Sequence, residues 1–432
     1  MIIRPARALK GRIELPGDKS ISHRAAMLAA MAEGTSRIEN FATSADCAAT
    51  LGCLRDLGVE IEHSGSNLSI TGVGRNGFTA PKRPLDCGNS GTTMRLLTGI
   101  LAGQKFASVL TGDQSLTKRP MMRVITPLQL MGAAIDSTDG RAPLKISGNG
   151  LQAIHYRLPV ASAQIKSCIM LAGLHAEGST TVIEPLPTRD HTERMLRFFG
   201  VALDETETSD GKRISVSGNA SLAAQDLFVP SDVSSAAFFM AAASALEDSE
   251  IEIPNVGLNP TRAAVIEVLV RLGCRISIRN EHMASNEPVG TIRVRGGLNP
   301  PHGERSNIID GRLIPNLIDE IPVLAVFATR LEKGLEVRDA AELRVKESDR
   351  IAAVVENLTR MGAVVTEFPD GFRIEGSRLK GSQVNSFGDH RIAMAFAVAG
   401  LLAKGETEIV GAECAAVSFP AFYETLASAR VE

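Results

Sequence analysis

Two carboxylates set among many cations are the first residues in this chain that read as chemistry. Asp319 stands in "LIDEIP" and Glu347 in "RVKESDR", where Lys346 and Arg350 flank the glutamate. Further basic and hydroxylic clusters recur along the chain. Lys19, Ser20 and Arg24 lie in "PGDKSISHR", and Gly91, Thr92 and Arg95 in "GNSGTTMR". Lys118, Arg119 and Arg123 lie in "TGDQSLTKRPMMR", and Ser162 and Gln164 in "SAQIKS". Arg189 lies in "PTRDHTER", and Asp389, His390 and Arg391 in "GDHR". Lys and Arg at this density fit one or two small, multiply charged anions, either phosphates or carboxylates. The Asp and Glu among them are the candidates for acid and base work.

Taken singly, each cluster also has an ordinary structural reading. "GDKS", "NSGTTMR", "SAQIKS" and "RDHTER" each read as a capped helix start, "LTKRPMMR" as a solvated turn, and "KESDR" as a helix with Glu347 and Arg350 paired at i,i+3. Asp319, ahead of Pro322, reads equally as a helix cap. "GDKS" lacks the spacing G-x-x-x-x-G-K-[ST], which excludes a phosphate-loop triphosphatase. His23 and His390 have no His, Cys or carboxylate neighbours at metal-ligand spacing and read as structural residues.

The elements that must position these residues form a repeat. A helix end, a glycine and a strand recur in "RDLGVEIE", "LQLMGAAID", "RFFGVALD", "VRLGCRIS" and "TRMGAVVTE", with glycines at 58, 132, 200, 273 and 362. A sixth, degenerate copy, "LASARVE", has Ser428 in the glycine's place. Each repeat also holds a helix that is apolar nearly all round, hence buried, with its polar residues crowded at the N-terminal end. The positive ends of six such helices, brought to one place, make an anion site. The fourth such helix starts near Ser231, and "LFVPSDVSS" reads as a crossing between halves of three repeats each. The strand "RIELPG" pairs with either half, while "NEHMASNEPVG" and "GGLNPPHGERSN" read as loop insertions.

Composition bounds the rest. A chain of 432 residues is too long for one ordinary core, and 44% apolar with 22% charged residues is a globular balance. A net charge of −3 gives no global attraction to nucleic acid or an anionic membrane, and two Tyr with no Trp argue against base stacking. The six cysteines form no C-x-x-C pair and read as small core residues in a reducing compartment. With no long apolar run, a cytoplasmic protein is expected.

Together, "LPGDKSISHR", "CGNSGTTMR", "LTKRPM", "PVASAQIKS", "TRDHTERM", "LIDEIPVLAV", "ELRVKESDR" and "DHRIAMAFAVAG" resemble the 5-enolpyruvylshikimate-3-phosphate synthase family, in its order and almost end to end. "SAQIKS" and "TRDHTERM" resemble its second sequence class, which includes glyphosate-tolerant members. The resemblance implies an α/β fold of two domains, an inside-out α/β barrel with three βαβαββ units per domain. Residues 1–18 with 230–432 would form one domain and 19–229 the other, with the buried helices aimed at the cleft between them.

The implied reaction moves the enolpyruvyl group of phosphoenolpyruvate to the 5-hydroxyl of shikimate 3-phosphate, on the way to chorismate and aromatic amino acids. It needs no metal or organic cofactor, and a monomer is expected. By the resemblance, Lys19, Ser20, Arg24, Ser162, Ala163, Gln164, Arg189, Asp319 and Lys346 contact shikimate 3-phosphate. Lys19, Gly91, Arg119, Gln164, Arg350 and Arg391 contact phosphoenolpyruvate. Asp319 accepts the hydroxyl proton, Glu347 handles the proton at the methylene carbon, and Lys19 touches both substrates. The first sequence class has a lysine near the C-terminus that reaches phosphoenolpyruvate, where "AVSFPAF" here offers Ser418. Two other readings stand beside this one: the sister enzyme that uses UDP-N-acetylglucosamine, whose mobile loop usually carries a cysteine absent from "GDQSLTKRPMMR", and a non-catalytic anion-binding protein.

Overall fold

A computed structural model describes residues 1–299 and 307–432, so most of the "GGLNPPHGERSN" stretch expected to be a loop lies outside the described residues, while its Gly296, Gly297 and Leu298 end a strand rather than a loop. The chain divides into two compact units. The first takes Met1–Pro16, Pro230–Met283 and Pro288–Glu432, and the second takes Gly17–Val229 and Ala284–Glu287. Gly17 and Asp18 fold with the second unit because Asp18 caps its first helix, accepting a hydrogen bond from the Ile21 N–H at 2.9 Å.

In the second unit the order strand, buried helix, strand, outer helix, hairpin recurs. The Leu85–Asp86 strand leads into the Gly91–Ala102 helix. Ala107–Thr111 then runs parallel to Leu85–Asp86 and pairs antiparallel with Arg141–Ser147, which carries Ala134–Thr138 at the edge. His155–Arg157, Ser179–Glu184, Gly211–Ser217 and Leu203–Thr208 repeat this around the Ala163–Gly173 helix. The repeat built on the Lys19–Met31 helix takes its first parallel strand from Leu227–Phe228, at the far end of the unit's sequence, so the unit closes on itself. The three central helices supply much of one apolar core.

The first unit is built the same way around Val233–Ala245, Ile321–Ala328 and His390–Leu402. All thirteen residues of Val233–Ala245 are buried. A helix apolar on every side has no solvated face to offer, so only a fully enclosed position suits it. Its sheet uses Ala8–Arg12 as the parallel partner of Glu250–Gly257. The N-terminal strand therefore ends where "RIELPG" begins, and it pairs within the first unit; Ile13 adds one more bond, to the Glu252 carbonyl.

The repeating glycines act as helix stops. Gly58, Gly132, Gly200, Gly273 and Gly362 all have φ between +84° and +105°, the left-handed region where a Cβ is costly. The sixth copy departs from this. Ser428 lies inside the Phe422–Ala429 helix, which runs directly into the Arg430–Val431 strand.

One expectation is overturned. "NEHMASNEPVG" is the tip of a long β-hairpin rather than a loop insertion: Cys274–Ala284 and Glu287–Leu298 are strands, joined by Ser285 and Asn286 at φ +49° and +64°. Two positive φ values at the centre are the signature of a tight hairpin turn, here made without glycine. The outgoing strand is exposed along most of its length, so its alternation carries little apolar signal.

Candidate active site

In the second unit the polar residues sit where the buried helices begin. Lys19 opens its helix, and its Nζ lies 2.9 Å from Asp46 Oδ2. Arg24, one turn on, is 5% exposed. Its Nε donates to Thr192 Oγ1 (2.7 Å), Nη1 to the Ser20 carbonyl (2.8 Å) and Nη2 to Ser167 Oγ (2.8 Å). Burial lowers its pKa to about 10, opposed by Glu193 and Asp18 and assisted by the cation of Arg189. It stays charged at neutral pH.

The Gly91–Ala102 helix is capped by Ser90, whose Oγ accepts from the Thr93 N–H. Gly91 has no positive φ. A Cβ at Gly91 would stand 2.9 Å from Arg95 Nη1 and 3.5 Å from Arg119 Nη1, so the missing side chain is space beside two guanidinium groups. Arg119 donates to Asn89 Oδ1 at 2.7 Å, and the Asn89 amide donates in turn to Asp113. Gln164, on the next buried helix, accepts from Arg95 at 2.6 Å and donates to Thr92 at 3.0 Å, which fixes its amide orientation. Ser162 caps that helix through the Ile165 N–H, with Ala163 as its first residue. Arg189 is half-buried just ahead of the His191–Phe198 helix.

In the first unit the centre is Arg350, 1% exposed at the start of the Arg350–Arg360 helix. Its Nε donates to Asp389 Oδ2 (2.7 Å), Nη2 to Glu347 Oε2 (2.7 Å) and Nη1 to Asp319 Oδ1 (3.3 Å). Burial alone would lower its pKa, but Asp389, Glu347 and Asp319 raise it above the ordinary arginine value. Asp389 also caps the His390–Leu402 helix by accepting from the Arg391 N–H. Arg391 is 4% exposed, its guanidinium carbon 6.0 Å from the Phe238 ring centroid. Lys346 is half-buried between a 3₁₀ turn and Glu347. Ser418 ends the Ala412–Val417 3₁₀ segment.

The cap reading of Asp319 fails. The residue flanking the Ile321–Ala328 helix is Glu320, with no side-chain cap bond, while the Asp319 carboxylate faces Arg350 and, at 3.9 Å, Arg262. His23 is structural: buried, its Nδ1 2.7 Å from Thr50 Oγ1, with burial lowering its pKa to about 3.

Sequence reasoning missed Asp46 and Arg262. Arg262 is 3% exposed and lies 3.1 Å from Glu320 and 3.6 Å from Asp232. In "NPTRAAV" its only signal was a cation just ahead of a helix, and Asp46's was a carboxylate two residues past the capping Ser44. Among the described residues, no cluster of three or more His, Cys, Asp or Glu has the makings of a metal site, and no helix is long and apolar enough to cross a membrane.

Known proteins place the chain. A family model described as EPSP synthase (3-phosphoshikimate 1-carboxyvinyltransferase) matches residues 3–426. The 3-phosphoshikimate 1-carboxyvinyltransferase of Salinibacter ruber is 52% identical over 99% of this chain and 98% of its own. That of Bacillus licheniformis is 48% identical over 96% of both. The EPSP synthase structure from Acinetobacter baumannii superposes with a TM-score of 0.87 at 45% identity, covering 99% of this chain and 97% of that one. The enolpyruvyl transferase NikO from Streptomyces tendae, 17% identical with a TM-score of 0.81, shares the fold: the two-domain, inside-out α/β architecture of βαβαββ repeats. The repeats, the anion-ready helix ends and these matches lead to one conclusion: the chain belongs to the EPSP synthase family, the 3-phosphoshikimate 1-carboxyvinyltransferases.

Proposed function

We propose that the family's reaction is carried out here by two residue sets, one on each unit. The reaction transfers the enolpyruvyl group of phosphoenolpyruvate to the 5-hydroxyl of shikimate 3-phosphate and releases phosphate. The substrates bring two phosphates and two carboxylates, the load that the Lys and Arg residues match. Lys19, Ser20, Arg24, Ser162, Ala163, Gln164 and Arg189 hold shikimate 3-phosphate, with Asp319 and Lys346 from the other unit. Lys19, Gly91, Arg119, Gln164, Arg350 and Arg391 hold phosphoenolpyruvate.

The chemistry needs one proton delivered and two removed. Glu347 serves the methylene carbon of phosphoenolpyruvate: a proton added there leaves cationic character on the adjacent carbon. The 5-hydroxyl attacks that carbon as Asp319 takes its proton, giving a tetrahedral adduct. Loss of phosphate and return of a methyl proton to Glu347 restore the enol ether. The observation that supports this reading is the arrangement at Arg350, where Glu347 and Asp319 lie 2.7 and 3.3 Å from the terminal nitrogens of one buried guanidinium. A fixed cation holding two carboxylates keeps both aimed, as positioned acid and base groups require.

Both sets come from one chain, which supports a monomer. Six free cysteines, five of them buried, support a reducing, cytoplasmic setting, and the small net charge supports small anions rather than nucleic acid or membrane as partners. Arg24→Gln and Arg119→Gln test the division of labour. The first is expected to raise the KM for shikimate 3-phosphate and the second that for phosphoenolpyruvate, each by tenfold or more as a charge-assisted contact is lost. If both variants weaken the same substrate, the assignment is wrong.

A further inference from the structure

Arg24 is aimed by a chain of hydroxyls whose direction the structure fixes. Ser167, 0% exposed, lies 2.6 Å from the Ala163 carbonyl, and a carbonyl only accepts. The single hydrogen of Ser167 is therefore spent on Ala163. The contact between Ser167 Oγ and Thr192 Oγ1, at 2.6 Å, then has Thr192 as its donor. With its hydrogen used, Thr192 Oγ1 meets Arg24 Nε as an acceptor, and Ser167 Oγ likewise accepts from Arg24 Nη2. The order is thus Arg24 to Thr192 to Ser167 to Ala163, every hydroxyl having one possible role.

The two hydroxyls sit on different helices, Ser167 on Ala163–Gly173 and Thr192 on His191–Phe198. What holds those helices in register is the residue next to each. Lys166, 0% exposed, lies 2.9 Å from Glu184 and 2.5 Å from Glu193, the neighbour of Thr192. A buried ammonium between two carboxylates has little freedom to move, because separating either partner strands a charge. The hydroxyl pair therefore presents a fixed two-point seat to one edge of the guanidinium. With the Ser20 carbonyl on Nη1, three of the five N–H groups of Arg24 are occupied among the described residues, and two are left for an anion.

We propose that Thr192 and Ser167, locked by the Lys166–Glu184–Glu193 cluster, are positioning residues that aim the two remaining N–H groups of Arg24 at shikimate 3-phosphate. This rests on the reading that Arg24 contacts that substrate. Thr192→Val keeps the shape of the side chain and removes the hydroxyl, and Ser167→Ala removes the other seat should the first variant fold poorly. Either is expected to raise the KM for shikimate 3-phosphate about tenfold, as expected for loss of a hydrogen bond to a charged group. The KM for phosphoenolpyruvate should stay within about twofold, and Thr192→Ser, which keeps the hydroxyl, should restore the wild-type value. Equal rises in both KM values, or no rise in a folded variant, overturn the proposal. Arg24→Gln run alongside separates the two failures. If Arg24→Gln weakens shikimate 3-phosphate but the hydroxyl variants do not, only the positioning role falls; if Arg24→Gln leaves that affinity intact, the underlying reading falls with it.

Discussion

Replacing Asp319 with Asn removes one negative charge from a crowded site and leaves its framework standing. The Asp319 side chain is 20% exposed, 3.3 Å from Arg350 and 3.9 Å from Arg262. Neither arginine is stranded by the change. Arg350 keeps Asp389 and Glu347, each at 2.7 Å, and Arg262 keeps Glu320 at 3.1 Å. A partly exposed pair contributes about 1 kcal/mol or less. Against that loss stands relief of repulsion, since Asp232, Asp319, Glu320, Glu347 and Asp389 outnumber the two arginines they face. Stability is therefore expected to change by no more than about 1 kcal/mol. Turnover should fall about 10²–10⁴-fold, or about 3–5 kcal/mol of barrier, as for loss of a general base. Shikimate 3-phosphate should still bind by calorimetry. The KM for phosphoenolpyruvate should hold or drop, because Arg350 is left with more uncompensated positive charge. Turnover within tenfold of wild type, or binding lost with turnover retained, refutes the role given to Asp319.

Gly91→Ala should fold normally, because Gly91 is helical rather than left-handed, yet its new methyl must displace the end of Arg95 and comes into contact with Arg119. The KM for phosphoenolpyruvate should rise, and the inhibition constant for the longer glyphosate should rise more; equal rises, or none, contradict this. Asp389→Asn should lower stability by about 3–5 kcal/mol, since Asp389 is fully buried, pairs with Arg350 and caps a helix; a melting temperature unchanged from wild type counts against it. Burial holds His23 and His175 neutral, with pKa values of about 3 and about 4 against an ordinary 6.5. Unfolding lets both take up protons, so stability is full above about pH 6.5 and drains toward pH 4 and 3, by about 2 kcal/mol for each at about pH 5. A melting temperature that stays flat between about pH 7.5 and 5 contradicts this.

Much of the framework was legible because five of the six buried helices among the described residues announce themselves twice, by a capping Asp or Ser and by an apolar run without a polar face. Lys19–Met31 after Asp18, Gly91–Ala102 after Ser90 and His390–Leu402 after Asp389 all start where the caps stand. The repeat glycines were legible for a related reason, as positions where φ must be positive. The far end of the Cys274–Leu298 hairpin was not, because an exposed strand end and a glycine-free turn look like polar loop. Nor were the partners of the site's charged residues. Asp46, Arg262 and Thr192 lie 27, 57 and 168 residues from Lys19, Asp319 and Arg24, the residues they meet, and no local pattern encodes contacts that only the tertiary fold makes. Asp319 shows the same limit at short range: its sequence fits a helix cap as well as a partner for arginines, and only the fold shows that it faces Arg350 and Arg262.

The acceptor distinguishes this enzyme's reaction from that of its sister family. Phosphate release from phosphoenolpyruvate should be measured with shikimate 3-phosphate and, in parallel, with UDP-N-acetylglucosamine. Stoichiometric release with the first and none above background with the second is the predicted result. Release with UDP-N-acetylglucosamine alone, or with neither acceptor, would contradict it.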